Sequence, residues 1–349
     1  MKIINPRFYL VFAFLASSAV SYMLGTSFGA TSTIGIVLMV MARGGDINLN
    51  MAAGAIISGC YFGDRTSPMS SCANLVSNLT ETELYKMLKN FRNSTIIPFI
   101  TVTLIYLLLS LLNPLTAASS SILKDIENNF IINFIVLLPA ITMLLLSSFQ
   151  FDVKKSMIIS IVLGAVISLI VQKTPLFQLI KCLIFGYKLS PDNPLSDILK
   201  GGGLFSMEKA GFVVFISCTM AGVLEGLDIF NRVDGMFKKV NTREKLLTAT
   251  AITSVFSGAF GGNQSIAVVM VSQIMKKAYD RLKVDKYELA TDIANTAVIF
   301  APMIPWNIAN LIPTTTLDVS TIKFIPYSYY LFVPFIMNYL IFKIKSRNS

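Results

Sequence analysis

Seven long segments without a charged residue constrain the fold of this chain more than any other feature of its sequence. They cover residues 8–42, 93–123, 128–151, 156–172, 246–275, 293–317 and 324–342. Most supply the roughly 20 residues that a helix needs to cross a membrane, and their apolar residues are continuous rather than alternating, which excludes a β-barrel. Only 14% of the residues are charged, against about 25% in a soluble domain. The sequence therefore predicts an all-α, multi-pass protein of the cell membrane.

Three apolar segments have more than one interpretation. The short segments 47–63 and 210–224 are marginal spans, and either could form a re-entrant arm or a half-helix. Residues 1–25 have the basic start and apolar middle of a cleaved export signal. The apolar character continues to Ala42, so the sequence favours a first membrane span over a signal.

A long-period repeat divides the sequence into two related parts. Matching strings are GTSFG at 25–29 and GAFGG at 258–262, PM at 68–69 and 302–303, and ANL at 73–75 and 309–311. The first Gly and the Pro of the two copies lie 233 and 234 residues apart. Repeated apolar segments interrupted by Gly and Pro are typical of inverted-repeat secondary transporters with broken helices and re-entrant helical hairpins. We predict one transmembrane domain over 1–349, with an incomplete first repeat in 1–112 and a second in 130–342.

The cysteine and histidine content excludes several kinds of catalytic and metal site. There are no histidines, so HExxH zinc sites and His-based triads are impossible. The cysteines lie in or beside apolar segments without CxxC spacing, which is typical of small core residues. An intramembrane aspartyl protease is disfavoured because there is no GxGD motif and the acidic residues are scattered. We expect that the protein is not an enzyme and that it binds no cofactor.

The net charge of +10 follows from basic loops. Lys and Arg concentrated between spans indicate membrane orientation rather than binding of nucleic acid. The predicted cytoplasmic segments are 81–92, 152–155, 228–245, 276–286 and 343–347, and the predicted outer loop is 113–129. Two basic loops flank 246–275, so this segment should enter and return as a hairpin that turns at 258–263. Segment 173–209 conflicts with the scheme, because it carries five lysines yet is placed outside.

Three interruptions of the apolar segments contain the candidate binding site. They lie at 63–74, 261–265 and 301–307 and are rich in hydroxyl and amide side chains. Freed backbone groups in hydrocarbon need partners, so such interruptions survive mainly where they line a buried polar cavity. Their oxygen atoms suit an alkali cation. The alternative is that each Pro only kinks a helix and each Ser bonds to its own turn; three interruptions, two of them repeat-related, favour the site.

Carboxylates near these interruptions are the expected charge carriers. An unpaired charge at membrane depth costs roughly 2.5 kcal/mol or more, so the group should be protonated, paired or ion-bound. A carboxylate that binds either H+ or Na+ gives exchange by competition, and Glu225, at the end of a span, is the leading proton carrier. Asp228 and Asp292 could instead be solvated helix ends. The predicted ligands are Asp64, Ser67, Ser70, Ser71, Asn74, Glu225, Asn263, Gln264 and Asn307, with Thr26, Ser27, Asp228, Asp292 and Asn295 as secondary candidates.

Five motifs together resemble the NhaC-type Na+/H+ antiporter family. They are GTSFGATSTIG at 25–35, AGAIISGCYFGDRTSPMSSCANL at 53–75, AGVLE at 221–225, GGNQ at 261–264 and PMIPWN at 302–307. The resemblance runs over nearly the whole chain and implies an ion-transporter fold whose helical hairpins meet at the midplane. It also implies exchange of sodium for protons, with relatives that exchange organic anions or amino acids.

This chain departs from the family pattern in three ways. Family members usually carry Asp where this chain has Ser71, and acidic residues where it has Ala294 and Asn295. The third departure is length, because counterparts of the spans from about residue 130 onward would precede Met1. We expect the first repeat to lack its opening helices, through a misplaced start, a separate chain that supplies them, or truncation to an inactive copy.

The sequence thus predicts a membrane transporter that exports Na+ in exchange for H+ and does not bind nucleic acid. The expected partners are the lipid bilayer and either a second copy of the chain or another chain that supplies the missing helices. The runner-up is exchange of a small organic anion or amino acid, for which Arg65 could hold a carboxylate. A third alternative is a subunit that completes its site only with another polypeptide.

Overall fold

The computed structural model describes residues 6–45, 47–115, 131, 133–149, 151, 153–187, 203–208, 211, 212, 215, 216, 219, 222, 223 and 240–347. All the regular elements in these ranges are helices, which confirms the predicted all-α class. The predicted span 210–224 lies mostly outside the described residues, and most of the loop 228–245 does so as well.

The first repeat consists of two interrupted helical segments. Helix α1 (Tyr9–Leu24) ends at a glycine and is followed by α2 (Ser27–Ala30), a π-helical turn and α3 (Ile36–Arg43). Helix α4 (Leu49–Thr66) ends before a break at 67–70, and α5 (Ser71–Leu79) follows. The apolar segment 8–42 is therefore broken into helices that meet at residues 25 and 26, and the predicted break within 63–74 is present.

Helix α4 is the packed centre of this repeat. It lies against α1, and its residues are buried along nearly its whole length. Gly63 permits the close approach, because a Cβ atom there would overlap the backbone of Ser21 in α1. Small residues at helix contacts are characteristic of membrane proteins. The marginal segment 47–63 is thus an interior helix surrounded by protein rather than a lipid-facing span.

Four helices follow within the described ranges, of which the first lies in the predicted first repeat and the other three in the predicted second repeat. Helix α6 (Leu84–Leu112) is continuous despite Pro98, and α7 (Leu138–Ser148), α8 (Val153–Ile170) and α9 (Leu176–Phe185) follow. The outer half of α6 exposes large apolar side chains such as Ile100, Leu104 and Leu108. Such a surface suits contact with lipid, because apolar side chains are favourable in the hydrocarbon of a membrane.

The predicted second repeat continues with a helical hairpin. Helices α10 (Arg243–Gly261) and α11 (Gln264–Arg281) pack side by side around a turn at Gly262 and Asn263. This confirms the hairpin turn predicted within 258–263. Helices α12 (Lys286–Ala294) and α13 (Ala297–Phe300) and a 3-10 turn then lead to a break at 304–307, followed by α14 (Ile308–Leu317) and finally α15 (Val333–Arg347).

Length and hydropathy identify fewer uninterrupted spans than the sequence segments suggest. In the described part of the chain, Pro6–Leu24 and Ser94–Leu112 are long and apolar enough to cross a membrane. The pair Lys286–Met303 and Ile308–Leu317 makes a third if it is counted as one span bent by 51°. The apolar segments 128–151 and 156–172 contain shorter apolar helices in the described residues. In segments 8–42 and 293–317 the apolar character continues, but breaks divide the helices.

Candidate functional site

Three helix ends converge on the carboxylate of Asp64, in the last turn of α4. Asp64 is only 4% exposed. Its Oδ2 atom accepts hydrogen bonds from the Ser27 hydroxyl at 3.3 Å and from the Gln264 amide at 3.2 Å. Its Oδ1 atom accepts one from the Ser70 hydroxyl at 3.2 Å. Ser27, Ser70 and Gln264, three predicted site residues of which Ser27 is secondary, therefore each contact Asp64, and we call these four residues the Asp64 group.

Equivalent turns in the two repeats deliver two of these contacts. Gly25 and Gly262 end α1 and α10 in the left-handed conformation, with φ of 66° and 57°, which glycine adopts without steric cost. The following residues, Thr26 and Asn263, each accept a backbone hydrogen bond that caps the next helix. The next side chain in each repeat reaches Asp64. Thr26 and Asn263 therefore position the neighbours that contact the carboxylate.

These turns set the register of the repeat. The interval from Gly25 to Gly262 equals the interval from Ser70 to Asn307, the capping residues of α5 and α14. Gly258, which the sequence comparison paired with Gly25, lies inside α10. The structural interval is therefore slightly longer than the sequence strings indicate, because conformation and not glycine identity marks the equivalent position.

The polar groups at the break after α4 form hydrogen bonds largely with one another. The Ser70 hydroxyl donates to the Asp64 backbone carbonyl at 2.5 Å and caps α5. The Ser67 hydroxyl is buried and accepts from the Met69 amide at 3.2 Å. A Cβ atom on Gly25 would lie 2.5 Å from the Met69 carbonyl carbon. The two breaks of the first repeat are thus in direct contact.

The break before α14 is joined to both the hairpin and the first repeat. The buried Asn307 amide donates to the Gly258 carbonyl at 2.8 Å, and its oxygen caps α14. The Tyr61 hydroxyl, on α4, donates to the Ala309 carbonyl at 2.7 Å. The breaks of the two repeats therefore lie together, as a site between them requires. Asn307 itself has a structural role and does not contact Asp64.

Two predicted ligands on α5 lie at the surface of the described fold. Ser71 and Asn74 are exposed, and the Asn74 amide donates to the carbonyls of Pro68 and Ser70. Neither contacts the Asp64 carboxylate, because they follow the break on the outer face of α5. The structure therefore does not bring Ser71 and Asn74 together with Asp64, and their role as ligands stays a prediction.

Asp292 belongs to a separate ion-pair cluster. It is 1% exposed, pairs with Arg243 at the start of α10, and accepts from the Tyr279 hydroxyl at 2.5 Å. Arg243 also pairs with Glu288 at 2.9 Å. Asp292 is therefore neither a solvated helix end nor a member of the Asp64 group. Sequence reasoning missed this cluster, since its members are distant in sequence.

Asn295 contacts Arg65 rather than Asp64. The Arg65 guanidinium donates to the Asn295 side-chain oxygen at 2.6 Å, and also to Ser94, Thr95 and Tyr330. The adjacent hydroxyl residues 94 and 95, inside an apolar segment, were the available sequence signal for this network.

The Asp64 group has the composition of a site for one small cation or a proton. Within the ranges that the structure describes, no three His, Cys, Asp or Glu residues come together as a metal-binding group. A single carboxylate surrounded by neutral polar groups can accept either a proton or a weakly bound alkali cation. Glu225 and Asp228 lie outside the described residues.

Comparisons with known proteins identify the family of this chain. Residues 59–344 match the Na+/H+ antiporter family. The chain is 24% identical to the Na+/H+ antiporter NhaC of Alkalihalophilus pseudofirmus, over 95% of the chain and 73% of that protein. It is 25% identical to the malate-2H+/Na+-lactate antiporter of Bacillus subtilis, over 95% and 72%. It is 23% identical to the arginine/ornithine antiporter ArcD of Halobacterium salinarum, over 94% and 69%. The chain therefore belongs to the Na+/H+ antiporter family.

Proposed function

We propose that this protein exchanges Na+ for H+ across the cell membrane and that both ions use the Asp64 carboxylate. The observation that carries the proposal is the position of Asp64, which is buried where breaks of both repeats meet. In the described part of the chain no basic side chain forms an ion pair with it. Family membership and the printed activity of the NhaC relative support the choice of ions.

Competition for one carboxylate gives obligatory exchange. An ionised, buried Asp64 needs a compensating charge, which either Na+ or H+ can provide. Na+ prefers oxygen ligands, and the hydroxyl oxygens of Ser27 and Ser70 already lie within hydrogen-bond distance of the carboxylate. Binding of one ion removes the negative charge that attracts the other. The two ions therefore occupy the site in turn.

The hydrogen bonds around Asp64 set how tightly a cation is held. Ser27 and Gln264 also lie at the beginning of α2 and α11, where helix dipoles carry partial positive charge. These donors stabilise the ionised carboxylate, and a cation has to displace part of this stabilisation. A moderate affinity, which permits release on the other side of the membrane, follows from this arrangement.

The test is sodium-dependent dissipation of a pH gradient in proteoliposomes that contain the purified chain. Asp64→Asn keeps the size of the side chain and removes the ionisable group, so we expect no sodium response. Glu81→Gln is the matched control, because the Glu81 side chain is 72% exposed and pairs with Lys276 away from the site. Wild-type exchange by Asp64→Asn would refute the role of this carboxylate, and no exchange by wild type would refute the function.

The sequence predicts Glu225, in the motif AGVLE at 221–225, as the leading proton carrier, and we keep it in the proposal as a carrier that acts beside Asp64. The same assay tests it with Glu225→Gln. A sodium response that persists in this variant and disappears in Asp64→Asn would assign proton transfer to Asp64 alone.

The second candidate function is exchange of a small organic anion or an amino acid. It is favoured by the printed activities of the lactate/malate and arginine/ornithine relatives. Counterflow of labelled lactate, malate or arginine that does not depend on sodium would support this candidate over Na+/H+ exchange.

A further inference from the structure

Arg65 is a fully buried cation without a negatively charged neighbour in the described fold. Its side chain is among the largest that the structure buries completely, with 1% exposure. Nη1 donates to Thr95 at 2.8 Å and to Tyr330 at 3.0 Å, and Nη2 donates to Ser94 at 3.0 Å and to Asn295 at 2.6 Å. All four acceptors are neutral oxygens.

Asp64 does not neutralise Arg65 although it precedes it in the sequence. Consecutive residues on a helix project about 100° apart, and the Asp64 carboxylate is occupied by donors from α2, α5 and α11. Asp292, another buried carboxylate, pairs with Arg243. The ring of Phe91, 5.4 Å from the guanidinium carbon, offsets part of the charge but accepts no conventional hydrogen bond.

Two buried side-chain nitrogens at Arg65 have no acceptor among the described residues. They are Nε of Arg65 and the side-chain nitrogen of Asn295. The two residues are in direct contact through Nη2 and the Asn295 oxygen. Buried donors are nearly always satisfied, and an unpaired buried guanidinium is strongly unfavourable. One negatively charged acceptor would satisfy both nitrogens and neutralise the guanidinium.

We propose that Arg65 and Asn295 bind a small monovalent anion, either chloride or the carboxylate group of a small organic acid. The anion would accept from Nε and from the Asn295 amide and neutralise the guanidinium. Ser94, Thr95 and Tyr330 hold the guanidinium in place from its other side. This anion site is distinct from the Asp64 group and does not depend on which ions the protein transports.

The test measures thermal unfolding of the purified chain at constant sodium concentration. Chloride, acetate and lactate are each compared with methanesulfonate, which carries neither chloride nor a carboxylate, at equal ionic strength, and binding of radioactive chloride and labelled lactate to wild type is measured directly. We expect at least one of the three small anions to raise the unfolding temperature saturably. Arg65→Gln should weaken this binding about tenfold or more, as expected for loss of a charged hydrogen bond. Arg92→Gln, an exposed arginine on α6, is the control and should respond as wild type.

Asn295→Asp gives an independent test, because it places a covalently attached carboxylate beside the guanidinium that remains. This variant should no longer respond to the anions and should unfold at least as high as anion-saturated wild type. A response to chloride alone assigns an inorganic counter-ion, and a response to lactate or acetate assigns a carboxylate ligand. The proposal is refuted if no anion differs from methanesulfonate in the unfolding temperature and neither labelled anion binds, or if Asn295→Asp responds like wild type. Because sodium is constant, neither result bears on Na+/H+ exchange.

Discussion

Replacement of Arg243 should measure how much the ion-pair cluster stabilises the contact between the hairpin and α12. Arg243 begins α10, and its partners Asp292 and Glu288 lie on α12. The Tyr279 hydroxyl at the end of α11 also donates to Asp292. Arg243→Met removes the charge but keeps an unbranched apolar side chain, which can still pack against the neighbouring aromatic rings. The variant leaves Asp292 buried with a single neutral donor among its described partners.

The expected loss of stability follows from the burial of each partner. Breaking a buried ion pair by removing one partner costs about 3–5 kcal/mol. Arg243 retains 23% side-chain exposure, and Glu288 is 40% exposed, so that second pair contributes little. The Tyr279 hydrogen bond at 2.5 Å remains. We therefore expect a loss near the lower limit, about 3 kcal/mol.

Unfolding in mixed micelles measures this loss, with the fluorescence of Trp306, the single tryptophan, as the signal. The double variant Arg243→Met, Asp292→Asn removes the unpaired charge and should recover most of the stability, with a residual loss of about 1 kcal/mol. Arg281→Met, at an exposed position, is the control. A loss below about 1 kcal/mol in the single variant, or a double variant less stable than the single one, would contradict the analysis.

Two further predictions concern the convergence on Asp64. Gly25→Ala should reduce both stability and exchange, because the added Cβ would overlap Met69. The φ of 66° at this position also costs a non-glycine residue about 1–2 kcal/mol. Gly164→Ala, with ordinary space around its Cβ, is the control in unfolding and transport assays. Gln264→Ala should reduce exchange about tenfold or more through loss of a hydrogen bond to a charged group, while the exposed Ser265→Ala should not. Equal exchange rates in a variant and its control would contradict the prediction for that variant.

Local signals in the sequence were sufficient to locate three of the interruptions, although the break at residues 25 and 26 was not among them. Gly, Pro and Asn are the residues that end helices, so the interruptions at 63–74 and 301–307 and the hairpin turn within 258–263 could be predicted. Asp64 could be selected because a carboxylate beside such a break in an apolar segment is costly unless it has a function. The convergence of Ser27, Ser70 and Gln264 on it required the tertiary structure.

Long-range pairing was beyond the sequence. Nothing near Asp292 in the sequence indicates that Arg243, on another helix, neutralises it, and so the sequence placed it among the secondary candidate ligands. Ser71 and Asn74 were included because they follow the break, but the helical rotation of α5 directs them to the surface. The repeat register was misjudged for a related reason, since sequence strings do not reveal which glycine adopts a positive φ.

The two hydrogen bonds to one oxygen atom of Asp64 have a consequence for uncoupled ion transport. Oδ2 of Asp64 accepts one donor from each repeat, so the repeats cannot separate without losing a bond to it. An ionised oxygen is the stronger acceptor, and it therefore resists separation most when no ion is bound. In the proposed exchange, an empty carrier would rarely change orientation, and one ion could not run downhill without the return of the other.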